Sequence, residues 1–207
     1  MPVFTLPSLT ASSGTAIQQI VPPLAGAIAR ITSLMYTSAA AAHTITVMRA
    51  TAKTTADGRA AAAQKVMTLS NVAAMNTVDA TSAEGVAIGD YMAWYDDEDK
   101  IVFDVVAGIS SSAVTMTVNF GNDIPDGSPV WIFGELARAS VITFTPPVSL
   151  TTTFFLNAQA GIPGQLDSNS RAGDNDPLII SSNNITNAGA MVYISGEYVA
   201  ATDVTMT

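Results

Sequence analysis

The sequence predicts an all-β protein: an antiparallel sandwich or barrel with an extended N-terminal arm, a second small β unit and at most one short helix. Three observations lead there. Apolar and polar residues alternate with period two in short runs, Gly, Pro, Asn and Asp break the runs at short intervals, and no stretch sustains a helical period. The 207 residues, 48% of them hydrophobic, suffice for one large or two small domains with a packed core.

Residues 1–26 read as the arm. Pro2, Pro7, Pro22 and Pro23 fix φ and remove amide donors, while Leu6, Leu9, Ile17, Ile20 and Val21 offer apolar side chains without helical spacing. Such a segment lies across a neighbouring subunit or along its own domain. Met1 to Ala29 carries no charge, yet its prolines and its Ser, Thr and Gln content exclude a membrane helix, and the basic start of a signal peptide is missing.

Residues 27–139 read as the main antiparallel β domain. Ala27 to Tyr36 opens it, and in His43-Thr44-Ile45-Thr46-Val47-Met48 alternation places His43, Ile45 and Val47 on one face. Asp57 to Lys65 is the one helical candidate, with Asp57 placed to cap an alanine run. Nine residues fall below the roughly 12 needed for independent helicity, so the alternative is an irregular crossing. Val66 to Leu69 follows. Tyr91 to Tyr95 and Ile101 to Val106 flank Asp96-Asp97-Glu98-Asp99, an acidic run expected to repel itself and stay solvated at a hairpin tip. Gly108 to Ser112 reads as a turn into Val114 to Val118, and the Asn122 to Pro129 loop leads to Val130 to Phe133.

Residues 140–207 read as a C-terminal β unit. The texture changes there: Ser140 to Leu166 is uncharged and contains Pro146, Pro147, Phe154 and Phe155. Strands are expected at Val141 to Thr145, Leu150 to Phe155, Leu178 to Ser181 and Met191 to Val199.

Charge is scarce and unevenly placed. Charged residues make up 12% of the chain, against about 25% in typical soluble domains, so much of the surface is Thr, Ser and Asn. A charge-poor surface favours a protein covered by neighbours in an assembly, or simply a Thr-rich β protein. Arg30, Arg49, Lys53, Arg59 and Lys65 face only Asp57 in residues 1–65, five cations against one acid, net +4. The remaining residues hold three cations against sixteen acids, net −13, within a total of −9. The basic third has too little charge and too few aromatics for nucleic acid and reads as solvated scatter or as a docking side for an acidic protein surface.

The sequence offers little for catalysis. The absence of cysteine excludes disulfides, thiol nucleophiles and cysteine zinc sites. His43 is the only histidine and has no Gly-x-Ser-x-Gly elbow to serve, and neither a P-loop nor a dinucleotide glycine motif occurs. Glu84, Glu98, Glu135 and Glu197 are the glutamates a glycosidase pair would draw on, but none sits in a motif. Asp167 to Asp176 is the best oxygen-rich loop for calcium, yet Arg171 interrupts it and the EF-hand ladder is missing. Asn184-Ile-Thr186 matches a glycosylation acceptor. Trp94, Tyr95, Trp131 and Phe133 form either a sugar-stacking platform or core. No cofactor, metal or membrane is therefore expected.

Gly85-Val-Ala-Ile-Gly-Asp-Tyr91, Ala113-Val-Thr-Met-Thr-Val118, Gly127-Ser-Pro-Val-Trp-Ile-Phe-Gly134 and Asp176 to Gly189 together resemble β-rich virion structural proteins of tailed bacteriophages, most closely capsid decoration, or cement, proteins. That resemblance implies no catalytic residues. It implies a protein made in the host cytoplasm that binds the outer capsid surface, with the major capsid protein and itself, as a homotrimer, for partners. Residues 1–65 would then carry the contacts, with Leu6, Leu9, Ile17, Ile20, Val21, Arg30, Arg49, Lys53 and Arg59 as candidates. A tail, neck or fibre subunit and a carbohydrate-binding module are the alternatives.

Overall fold

A computed structural model describes residues 3–10, 18–37, 45–70, 86–134, 143–144, 154–157, 176–182 and 191–200. The described residues contain fourteen strands and no helix. In chain order the strands are β1 (Val3–Thr10), β2 (Gln18–Val21), β3 (Ala27–Thr37), β4 (Ile45–Arg49), β5 (Ala52–Thr55), β6 (Val66–Thr68) and β7 (Tyr91–Tyr95). They continue with β8 (Ile101–Ser110), β9 (Ala113–Met116), β10 (Pro129–Phe133), β11 (Thr143–Phe144), β12 (Phe154–Asn157), β13 (Leu178–Ser182) and β14 (Met191–Ala200).

The chain folds as two compact units. One combines Met1–Arg49 with Ser140–Asn169 and Gly173–Thr207; the other is Ala50–Ala139 with Ser170–Ala172. Residues 1–49 therefore share a unit with the stretch read as a separate C-terminal part, and the intervening ninety residues form a unit of their own.

In the discontinuous unit one antiparallel sheet runs β1-β14-β3-β12 and another runs β11-β4-β13-β2. The residues read as an arm are extended, but as strands of these sheets: Leu6 registers with Ile194 and Leu9 with Val192, while Ile20 registers with Ile179 and Val21 with Leu178. The reason is that the chain's edge partners come from far along the sequence, where β13 and β14 supply the hydrogen bonds that a lone apolar segment lacks. Pro7 sits where the β1 register shifts, between Leu6 and Leu9, which is where a strand tolerates a missing amide. Alternation at His43 to Met48 implied one buried face, yet Val47 and Met48 are both buried, as are Leu178, Ile179 and Ile180. These central strands are covered on both faces. The Tyr198 hydroxyl donates to the Pro22 carbonyl at 2.8 Å, tying β14 to the segment that follows β2.

The second unit is a closed barrel. Its strands run β5-β10-β7-β8-β9-β6, all antiparallel, and the two ends of that order meet. Ala56 bridges Leu69, the Asp57 amide donates to Thr68 O at 2.9 Å, and the Ser70 amide donates to Thr55 O at 2.9 Å. Where the ends meet, the outer edges of β5 and β6, which an open sheet would expose, are paired. Inward residues alternate with outward ones: Met92 and Trp94 of β7, Val102 and Val106 of β8, Val114 and Met116 of β9 and Val130 and Ile132 of β10 join the core, together with Val86. Trp94 meets Phe120 edge to face at 5.6 Å and 76°, worth about 0.5–1.5 kcal/mol beyond burial. Methionines suit this interior, because an unbranched thioether fills the irregular gaps between tilted strands.

Residues 57–65 are the irregular crossing and contain no helix. Gly58 takes φ +81° and Ala63 φ +65°, both left-handed, and Ala60 exchanges amide and carbonyl bonds with Ile124 at 3.0 and 2.8 Å. The alanine run was too short to nucleate, and pairing with residues 120–124 satisfied its backbone instead. Gly108 to Ser112, read as a turn, mostly continues β8, which bends through a bulge between Val106 and Gly108; only Ser111 and Ser112 form the loop. Strand β5 had no signature, since Ala-Lys-Thr-Thr carries no apolar alternation.

Core and tip positions separate cleanly in expected cost. Met92→Ala, at a fully buried site, is expected to lower unfolding stability by about 2–5 kcal/mol, whereas Ile88→Ala, 63% exposed, stays within about 0.5 kcal/mol. Urea midpoints at constant slope check both.

Candidate functional site

The acids of the barrel fasten its backbone. Asp90 Oδ2 accepts the Ala87 amide at 2.8 Å, across a turn whose Gly89 has φ +95°. Asp104 Oδ2 accepts the Val118 amide at 2.9 Å and Oδ1 accepts the Thr117 hydroxyl. Asp123 Oδ1 accepts the Ala62 amide at 2.6 Å, and Asp126 Oδ1 accepts the Gly58 amide at 2.8 Å. Asp123 and Asp126 thus hold the crossing segment 57–65 against the loop before β10. An ionised carboxylate is the strongest acceptor a side chain offers to such an amide.

Asp96 departs furthest from expectation. Asp97, Glu98 and Asp99 are exposed at the hairpin tip, but Asp96 is only 4% exposed. Its Oδ1 accepts the Glu98 amide at 3.1 Å and the Lys100 amide at 2.9 Å, and its Oδ2 accepts Asn122 Nδ2 at 3.0 Å. The Asp99 amide also reaches Asp96 O at 3.1 Å, with Asp99 at φ +56°, so the tip is a type I turn closed by a left-handed residue. An aspartate at the first position of such a turn bonds its own backbone, which is why the first acid of the run turns inward and the other three do not. Burial works to raise the Asp96 pKa, but the Asn122 hydrogen bond, the Lys100 and Glu98 amides and the Lys100 charge outweigh it and hold the carboxyl below its ordinary 3.8. Burial, and then the Asp99 charge, raise the Tyr95 phenol.

A pocket of about 240 Å³ opens beside this hairpin, lined by Trp94, Asp96, Lys100, Phe103, Val118 and Asn122 among others. It lies wholly within the barrel unit and brings titratable, amide and apolar side chains together.

The residues proposed for docking are spread over both units. Leu6 and Leu9 lie on β1, Ile20 is half-buried on β2 and Val21 is fully buried there. Arg30 registers opposite Glu197, and Arg49 opposite Leu178. Lys53 is exposed on β5 with its Nζ 5.1 Å from the Trp131 ring centre, a cation–π contact. Arg59 pairs with Asp123 while itself 67% exposed. Ile17 and His43 lie outside the described residues, as do Glu84, Glu135, Asp167 to Asn175 and Asn184 to Thr186; Asp176 is buried. Glu98 is exposed at the tip and Glu197 is half-buried on β14.

No sugar platform forms from the four aromatics. Trp94 points into the barrel while its neighbour Tyr95 points out, and Trp131 and Phe133 are buried. Tyr95 packs on Trp131 edge to face at 5.7 Å. Among the described residues no three His, Asp or Glu side chains gather as for a metal, and no helix is long and apolar enough to cross a membrane.

Because the folded pKa of Asp96 is lowered, its stabilisation is complete above the ordinary aspartate pKa and is lost as pH falls through and below 3.8. Asp96→Ala is expected to cost about 1–3 kcal/mol at pH 7, through the amides left unsatisfied, and the deficit relative to the parent is expected to shrink in acid. Arg59→Ala should change stability by less than about 0.5 kcal/mol, because an exposed pair is screened. Chemical denaturation from pH 7 to 2.5 checks both expectations.

No protein-family model matches the chain, and no curated protein matches it. Among solved structures it is similar to a chain of the VP16-VP17 complex, the two major capsid proteins of bacteriophage P23-77, at 15% identity and TM-score 0.26, covering 96% of this chain and 99% of that one. It is also similar to VP17, a capsid protein of the same phage, at 13% identity and TM-score 0.25, with the same coverage. Infectious bursal disease virus provides a further similar chain, at 11% identity and TM-score 0.14, of which 40% is covered.

Proposed function

We propose that this chain is a non-enzymatic structural protein of a phage virion, a decoration protein that binds the outer capsid surface and stabilises the shell by bridging capsomers. One observation carries the reading. The carboxylates of Asp90, Asp96, Asp104, Asp123 and Asp126, which would be the raw material of an active site, are bonded to backbone amides and lock the turns of a closed barrel. A site for general acid–base work needs a carboxyl whose lone pairs are directed at a substrate. These point at their own chain. The scarcity of surface charge supports the same reading, since neighbours in a shell cover what water would otherwise solvate.

The partners are the major capsid protein and other copies of this chain, most simply as a trimer. Bridging through several weak contacts raises avidity by roughly 10²–10⁴ over one contact. Removing residues 2–26 would delete β1 and β2 and so disrupt a sheet rather than a detachable arm, which makes truncation a poor test. The informative experiment adds the purified full-length chain to parent capsids made without it. Saturable binding in many copies, with a raised temperature of shell disruption, is expected; absence of binding, or occupancy at a single vertex or tail, would contradict the proposal.

A further inference from the structure

Hydrogen-bond parity along β8 leaves one stretch of barrel edge open. In an antiparallel ladder, alternate residues bond to the same neighbour. The Val106 amide donates to Asp90 O at 2.8 Å and the Asp96 amide donates to Lys100 O at 3.0 Å, so the even residues of β8 face β7. The odd residues face the other way, and the Thr117 amide duly donates to Val105 O at 3.0 Å. Beyond that point the partner strand leaves. Val118 is held by the Asp104 side chain instead of by backbone, and residues 119–122 turn away toward the crossing segment. The register with β7 runs from Tyr91↔Val105 to Tyr95↔Ile101, and no described strand pairs with Ile101 or Phe103 on the opposite side. Their amides and carbonyls look out beside the 240 Å³ pocket.

We infer that the Ile101–Phe103 edge of the barrel is a strand-addition site for an extended partner segment that carries lysine or arginine. Main-chain bonds to Ile101 and Phe103 would supply the ladder, and Val118, 61% exposed, with the half-buried Phe103 would supply apolar walls for alternate side chains. Charge selects the occupant. Asp96 and Asp104 line the pocket with Lys100, and Asp97, Glu98 and Asp99 are exposed at the hairpin tip that leads into Ile101, five carboxylates to one ammonium, net −4. A basic strand is attracted to this rim and an acidic strand is repelled. The half-buried Asn122 lines the pocket and gives its Nδ2 to Asp96, so its carbonyl oxygen is the group it has left to accept from the incoming cation.

The test uses the full chain, isotope-labelled, titrated with the peptide Lys-Val-Lys-Val-Lys-Val and with its counterpart carrying Glu for Lys. The readout is hydrogen exchange at the Ile101 and Phe103 amides. Exchange there is expected to slow by about tenfold or more with the lysine peptide and not with the glutamate peptide. Ile101→Pro removes the outward amide at the first residue of β8 without touching a bond to β7, and is expected to abolish the protection. The double charge reversal Asp97→Lys with Glu98→Lys leaves the edge intact and is expected to weaken the lysine peptide by about tenfold, so the idea stays testable if the proline variant folds poorly. Absent protection, equal protection by both peptides, or unchanged binding after charge reversal would overturn it. Protection that appears with protein concentration alone would assign the edge to a second copy and also overturn it.

Discussion

A closed sheet tolerates no slack at its turns, because a slip at one loop shifts register around the whole ring, and in the 50–139 barrel that constraint is met by aspartate carboxylates bonded to backbone amides. Asp126 pins Gly58 and Asp123 pins Ala62, which sets the crossing segment over one end. With that segment fixed, Asp57 and Ser70 reach Thr68 and Thr55 and the seam closes. Asp96 and Asp90 do the same at the two ends of β7, and Asp104 sets where the chain leaves β8. The core of Met92, Trp94, Met116, Ile132 and their neighbours gives the barrel its stability, while the aspartates decide which barrel it is.

This division of labour links the fold to the functional reading. Asp90, Asp96, Asp104, Asp123 and Asp126 serve the backbone geometry of the barrel, which is the observation the proposed structural role rests on. The open piece of edge at Ile101 and Phe103 follows from the same arrangement. The Asp104 side chain intercepts Val118 before the ladder completes itself, and an acidic rim stands beside the gap. Such an edge is normally a hazard of aggregation. Here carboxylates guard it against most strands and leave it open to a basic one.

Much of the fold was legible in the sequence, and its failures have physical causes. Alternation found β7, β10 and β13 almost to the residue, since each carries enough Val, Ile, Tyr or Trp to mark a face. It missed β5 because Ala52-Lys53-Thr54-Thr55 puts only Ala52 and Thr54 inward. It read β1 and β2 as an arm because their partners lie more than 150 residues away. The acidic run looked uniform as letters, yet turn position separates Asp96 from the three acids after it. Period two already placed Trp94 and Tyr95 on opposite faces, so their failure to form one platform was available from the sequence. The candidate site was less legible: the bonds of Asp90 and Asp96 lie within their own turns, but those of Asp104, Asp123 and Asp126 to the Val118, Ala62 and Gly58 amides express tertiary proximity, which no local pattern encodes.

Backbone amide proton shifts of the intact chain, followed by NMR as the acids protonate, show whether these carboxylates hold the barrel's backbone. The Gly58, Ala62, Ala87, Lys100 and Val118 amide protons are each expected to shift as their aspartate protonates, while the Ala93 amide in the ladder interior stays still. Those five amides remaining silent through the carboxylate titration, with the fold intact, would contradict that role.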